Sequence, residues 1–185
     1  MMEKALKLKK DFVLDYAYGF TYPDAEPLVY TRHRDDKKVT FYNYKETYGY
    51  GHVKPYLKNI IIEKDPISFY QLVVFSVVVN QFYQSWHAKY NDHTFIYDKR
   101  HLEEILSTIP EKDGRSSINT ESRESLRRLA LNPVININQD KTECCCLMFS
   151  KWMGFYYYRA RISYPELSIE TETENVCSYM CGTEY

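Results

Sequence analysis

The stretch of sequence that decides the fold is TECCCLMFSKWMGFYYYRARISYPELSIETETE, residues 142–174. It contains three apolar and aromatic runs that favour strands, separated by short segments that favour turns. A fourth such run precedes it, directly after Asn132-Pro133. Together the four runs predict an antiparallel β-meander with strands at Val134–Asn138, Thr142–Ser150, Phe155–Tyr164 and Leu167–Glu174.

A turn about Pro165-Glu166 would set the register of the last two strands. It places two arginines opposite two glutamates on one face of the sheet and two isoleucines together on the other face: Arg161 with Glu170, Arg159 with Glu172, and Ile162 with Ile169. Cross-strand pairs of this kind specify a register, because a slip of one residue would exchange the two faces.

A second turn at Lys151–Gly154 would align the strands before and after it. The predicted pairs lie on the face of the isoleucines: Phe149 with Tyr156, and Leu147 with Tyr158. In this register Cys144 and Cys146 fall on the charged face, together with the two arginines. One apolar face and one charged face predict an α+β fold, in which helices cover the apolar side of the meander.

The strongest helix signal begins at Asp65-Pro66, because Asp caps free amides and Pro suits the first helical position. The residues that follow are apolar all round, so we expect a long central helix near 66–91. Two shorter helices are predicted, one capped by Asp98 and ending before Pro110, the other capped by Thr120 and stopped at Asn132-Pro133.

The N-terminal part gives weaker patterns. Apolar residues recur on one helical face over residues 2–18, which predicts a helix there. Leu28–Thr31 and Val39–Tyr44 suggest two strands joined by a charged loop, and Tyr56–Glu63 suggests a further short strand. We therefore predict one domain over 1–185, with a mobile polar loop at 111–119 and a loose acidic tail at 175–185.

Composition and charge limit the classes of function. The net charge of −1 gives no general attraction to nucleic acid or membranes. Five cysteines, three of them adjacent, do not form a disulfide framework, and the N-terminus lacks the apolar core of a signal peptide. The apolar stretch Ile67–Val79 is too short for a membrane span of ~20 residues. These features predict a cytoplasmic protein with no membrane contact.

Tyrosine is the unusual component, with 19 Tyr against 9 Phe. Tyrosine set among glycine and polar residues is typical of recognition loops, because its rigid ring provides contact area at low entropic cost. We therefore predict a partner-binding surface formed by Tyr42, Tyr44, Tyr48, Tyr50, His52, Lys54 and Tyr56. The corresponding function is a non-enzymatic interaction protein, such as a small inhibitor or accessory protein of phage or mobile-element type. It would dock on a larger protein or ribonucleoprotein.

Two other functions remain open. Tyr157, Arg159 and Arg161 could stack bases and contact phosphates of RNA or single-stranded DNA, although both arginines have predicted glutamate partners. A small hydrolase or transferase could use a cysteine whose pKa is lowered by the nearby arginines, with a base from one of five histidines. The histidines are His33, His52, His87, His93 and His101.

Complete catalytic and metal-binding motifs are missing from the sequence. Cys177 and Cys181 form a single pair at an uncommon spacing for zinc. His87 and His93 are not four residues apart, the spacing that places two imidazoles on one helical face. We therefore assign no catalytic residue, metal ligand or cofactor from the sequence.

Overall fold

The protein is a mixed α+β structure, seen in a computed structural model that describes residues 6–21, 24–48, 54–81, 84–85, 92–112, 114, 116–164 and 166–179. The predicted domain contains two compact units. The first unit comprises Met1–Asn91, Ile137–Thr142 and Arg161–Ile169; the second unit comprises Asp92–Asn136, Glu143–Ala160 and Glu170–Tyr185.

The strands form three antiparallel sheets. A two-stranded sheet contains β1 (Leu6–Leu8) and β4 (Ile60–Ile62). A three-stranded sheet has the order β2 (Phe12–Thr21), β3 (Asp24–His33) and β5 (Gln84–Ser85). A five-stranded sheet contains β6 (Thr94–Phe95), β7 (Val134–Ile137), β8 (Lys141–Ser150), β9 (Gly154–Ser163) and β10 (Ser168–Cys177). Its order is β10-β9-β8-β6, and β7 also pairs with β8.

The helices in the described residues are α1 (Phe41–Tyr48), α2 (Pro66–Asn80), α3 (Lys99–Ser107) and α4 (Thr120–Arg127). The start of α2 is confirmed, since the Asp65 carboxylate accepts hydrogen bonds from the amides of Ile67 and Ser68. The end of α2 was predicted too late, because the helix stops at Asn80. The many valines of α2 lose rotamer freedom in a helix, so beyond the buried core they favour its continuation only weakly.

The predicted helix over residues 2–18 is wrong. β1 and β2 occupy the described part of this range, and Asp11 with φ 65° forms the turn before β2. In β2 buried Asp15 and Ala17 alternate with exposed Leu14 and Tyr16, which is the two-residue period of a strand. The partner of β3 is therefore β2, and not the segment after the charged loop.

The predicted strand Val39–Tyr44 is also wrong, because α1 begins at Phe41. The Thr40 hydroxyl oxygen accepts a hydrogen bond from the Asn43 amide at 3.3 Å, which caps the first turn. Capping and packing here override the strand preference of tyrosine. The predicted strand Tyr56–Glu63 is replaced by a short 3-10 helix, Leu57–Asn59, followed by β4.

The C-terminal meander is confirmed, but one face assignment is wrong. The loop between β8 and β9 is Lys151–Met153, one residue shorter than predicted, because Gly154 already belongs to β9. A shift of one residue moves side chains to the opposite face. Cys144 and Cys146 are accordingly buried and do not lie on the exposed face of Arg159.

The core of the second unit lies where α3 and α4 pack on the meander. It consists of residues from both helices, from β8 and β9, and from the segments around them: Ile96, Leu102, Leu106, Ile109, Ile118, Leu126, Leu147, Phe149, Phe155 and Tyr179. Asp98 caps α3 as predicted, whereas α4 is capped by Asn119 rather than Thr120.

The predicted loose tail is wrong for residues 175–179. β10 continues to Cys177, and Tyr179 is buried against the second unit's core. Residues 180–185 lie outside the described residues. The predicted loop at 111–119 contains no helix or strand in its described positions.

Candidate interaction surface

Strand β2 lies at the edge of the three-stranded sheet, with β3 as its hydrogen-bonded neighbour among the described strands. Two large apolar side chains on this strand, Leu14 and Tyr16, are exposed to solvent. Tyr16 is 62% exposed although its register partner on β3, Val29, is buried. An exposed tyrosine on an edge strand is therefore available for contact with another molecule.

A buried ion-pair network fixes the chain beside Tyr16. The buried Asp15 carboxylate accepts hydrogen bonds from Arg32 Nε at 2.8 Å and from Lys38 Nζ at 3.1 Å. Burial would raise the pKa of Asp15, but the bonds from Arg32 and Lys38 outweigh it and hold that pKa below its usual value. The Lys38 ammonium then lies 6.0 Å from the centre of the Tyr16 ring.

Arg32 also orders the loop that carries Lys38. Its guanidinium donates to the carbonyls of His33, Arg34 and Asp36 at 3.1, 3.0 and 2.7 Å. A loop held by several charge-assisted bonds loses little further entropy on binding. We define the β2 edge surface as Leu14, Tyr16 and Lys38, an exposed apolar pair beside a fixed cation.

Helix α1 presents a second exposed tyrosine in the same unit. Phe41 is buried and anchors the first turn, whereas Tyr42 is 77% exposed. The preceding Val39 amide donates to the Tyr30 hydroxyl at 2.8 Å, and Val39 packs against Ala17 and Tyr30. Tyr42 therefore stands on a helix that is anchored to the sheet.

The predicted partner-binding residues do not form one surface. Tyr42 is exposed, but Tyr56 is buried and its ring lies edge-on to Phe75 at 5.5 Å. The Lys54 ammonium donates to the Ile169 carbonyl at 3.1 Å, and burial lowers its pKa. Tyr44 and Tyr48 belong to α1 with side chains outside the described part, and Tyr50 and His52 lie outside the described residues.

Sequence reasoning missed Leu14 and Tyr16, because residues 2–18 were predicted as a helix. The signal was present in the sequence. Large residues alternate with small ones at Tyr16, Ala17, Tyr18, Gly19 and Phe20, which is the period of a half-exposed strand.

The alternative nucleic-acid site on β9 has its central cation paired within the chain. Arg159 donates to the Glu174 carboxylate at 2.6 Å and lies 3.9 Å from Glu172, the partner that the sequence predicted. Tyr157 is partly buried against the second unit's core, and Arg161 is exposed. The carboxylates beside Arg159 oppose the approach of a phosphate.

The thiols do not match the predicted reactive cysteine. Cys144 and Cys146 are buried and touch each other, with their sulfurs 3.6 Å apart. Cys145 is the cysteine influenced by Arg159, yet burial raises its pKa overall. In the described residues, no group of three or more His, Cys, Asp or Glu could hold a metal ion.

The described histidines have other partners. His33 lies 3.6 Å from Asp35, and His101 stacks on Tyr97. The Nδ1 atom of His93 is 2.5 Å from the Tyr156 hydroxyl. Burial raises the pKa of Tyr156 and lowers that of His93, so a neutral imidazole accepts the phenol hydrogen.

This pair predicts a pH dependence of stability. The folded pKa of His93 is below its unfolded value near 6.5, so its contribution is complete above about pH 6.5 and is lost as the pH falls below it. Gln in place of His93 keeps an acceptor but does not titrate. Urea midpoints between about pH 7.5 and 5 should therefore fall more steeply for the wild type than for H93Q. Equal slopes of urea midpoint against pH for the wild type and H93Q would contradict a neutral His93 that accepts a hydrogen bond from Tyr156.

No family model, curated protein or solved structure matches this chain. Over the described residues, the helices are all too short or too polar to cross a membrane.

Proposed function

We propose that this chain is a non-enzymatic interaction protein that docks on a larger protein through the β2 edge surface. The observation that supports this is Tyr16, exposed on an edge strand next to the fixed ammonium of Lys38. The Tyr16 amide already donates to the Asp15 carboxylate at 3.0 Å, so we expect a partner to bind the side chains of this edge rather than to add a strand to it. Tyr42 provides a second exposed ring in the same unit.

A protein partner fits this surface better than a nucleic acid. Apolar Leu14 and the ring of Tyr16 favour burial against apolar groups, and tyrosine is enriched at the centres of protein interfaces. Lys38 is already paired with Asp15, so it would position a partner rather than neutralise a row of phosphates. A cytoplasmic setting agrees with the four free cysteines among the described residues.

The test compares three forms of the full chain as bait in its native host. These are the wild type, the double variant L14A/Y16A, and the control Y97A. Tyr97 is 57% exposed and belongs to the second unit, so it matches Tyr16 in chemistry and exposure. Proteins recovered with the wild type and with Y97A, but not with L14A/Y16A, are then purified for direct binding.

Calorimetry with the purified partner should show affinity at least about tenfold weaker for L14A/Y16A than for the wild type. That ratio corresponds to about 1.4 kcal/mol or more, whereas Y97A should bind like the wild type. Unchanged thermal melting would show that both variants are folded. Equal affinity of the folded double variant for every recovered partner would refute the proposed surface.

A further inference from the structure

Three sulfur-containing side chains lie at alternate positions of β8. Cys144, Cys146 and Met148 are 1%, 3% and 1% exposed. Alternate residues of a strand point to the same face of its sheet, so the three sulfur groups form a line on one buried face. Cys145 lies between the two buried thiols on the opposite face and is only partly buried.

The two buried thiols are close enough to share one metal ion. Their sulfurs are 3.6 Å apart. Two sulfurs that each lie about 2.3 Å from a metal can be no more than about 4.6 Å from each other. The pair can therefore close on an ion through small side-chain rotations, without movement of the strand.

The chemistry of these ligands selects the ion. Thiolate and thioether sulfur are soft ligands and favour Cu(I), whereas zinc in structural sites takes four ligands. The described residues offer no third His, Cys, Asp or Glu to complete a zinc site here. We propose that Cys144 and Cys146 bind one Cu(I) ion, with the Met148 thioether as a third sulfur beside it.

Binding exchanges protons for the metal. Two S–Cu bonds form, two S–H bonds break, and both protons leave to solvent, while copper enters and stays as Cu(I). Only the deprotonated form of cysteine binds copper, so metal binding and proton release are coupled.

The surroundings suit an ion that must be protected from oxidation. Tyr156 and Ala160 on the neighbouring strand β9 are buried as well. An apolar, water-poor environment limits the access of oxygen and water to a bound Cu(I) ion. Entry of the ion requires a transient local opening of the sheet, so loading should be slow compared with binding at a surface site.

The experiment titrates the reduced full-length protein with Cu(I) under anaerobic conditions, in competition with the coloured chelator bicinchoninate. The wild type and the control C145S should each retain one equivalent of copper. C144A and C146A should retain none, and M148L should bind at least about tenfold more weakly while packing normally. X-ray absorption of the copper-loaded wild type should show sulfur ligands only.

Three results would overturn the proposal. The wild type could release all copper to the chelator, C145S could lose copper as completely as C144A, or the absorption spectrum could show nitrogen or oxygen ligands. If the alanine variants do not fold, two measurements still test the site. They are the copper competition with bicinchoninate for the wild type and C145S, and the absorption spectrum of the copper-loaded wild type.

Discussion

Replacing Gly154 with alanine is expected to lower the free energy of unfolding by about 3 to 4 kcal/mol. Gly154 has φ +80°, which alanine adopts only with strain. A Cβ atom at this position would also collide with backbone atoms of Cys177 and Tyr179 and lie 2.9 Å from the Ser178 carbonyl carbon. Backbone cannot rotate away as a side chain can, so the segment that places Tyr179 in the core must shift.

Gly114 is the matched control for this substitution. Its φ is also positive, at +142°, but it is exposed, and among the described residues a Cβ atom would meet the Ser117 hydroxyl at 3.1 Å and no backbone atom. G114A should therefore cost about 1 to 2 kcal/mol of backbone strain, without the collision. Urea unfolding at one pH compares the two variants. Equal losses would show that the approach of the C-terminal segment to Gly154 contributes nothing.

Replacing Arg123 with alanine is expected to cost about 3 kcal/mol or more of stability. The buried guanidinium donates to the carbonyls of Leu106 at 2.9 Å and Ile118 at 3.1 Å, and also to that of Ile109. Leu106 lies in the last turn of α3, where its carbonyl also accepts a hydrogen bond from the Ile109 amide at 3.1 Å. Ile109 follows α3 and Ile118 precedes α4, so their carbonyls lie outside the regular helical hydrogen bonds. Removing Arg123 would leave buried acceptors with fewer donors and a cavity where its stem had packed.

Two further variants separate this effect from charge alone. R123K keeps the charge, but one ammonium cannot reach three carbonyls in different directions, so most of the loss should remain. R127A removes a partly exposed arginine of the same helix that pairs with Glu103 and Glu124, and should have little effect on stability. Chemical denaturation of all three variants gives the comparison. A small loss of stability in R123K, or a large loss in R127A, would indicate that net charge near α4 matters more than the carbonyl contacts.

The parts of the fold that were predicted correctly depend on short-range signals. Asp65-Pro66 and Asp98 cap their helices because the capping side chain lies within three residues of the amides it binds. The meander was predicted correctly for a similar reason, since short turns join its strands. The face of Cys144 and Cys146 was predicted wrongly because of one residue, Gly154, which begins β9 instead of ending the loop before it.

The parts that were predicted wrongly have sequence patterns that fit more than one structure. β3 begins three residues after β2 ends, so their pairing is local, but the aromatic residues of β2 also fit one face of a helix, and the helix was predicted. The residues of the candidate site were predicted wrongly because a tyrosine ring can be either buried or exposed, and the sequence does not separate the two cases. Tyr42 is exposed and Tyr56 is buried against Phe75, although both come from one tyrosine-rich segment.

The alternation of the chain between its two units has a consequence for biosynthesis. The first unit includes Arg161–Ile169 as well as Met1–Asn91, so a nascent chain cannot finish it when residue 91 leaves the ribosome. At typical elongation rates the missing segments arrive about 4 to 16 s later. During that interval Phe69 of α2 lacks Tyr164, whose ring centre lies 5.7 Å from its own in the folded chain, and apolar surface left exposed in this way is a target for chaperones.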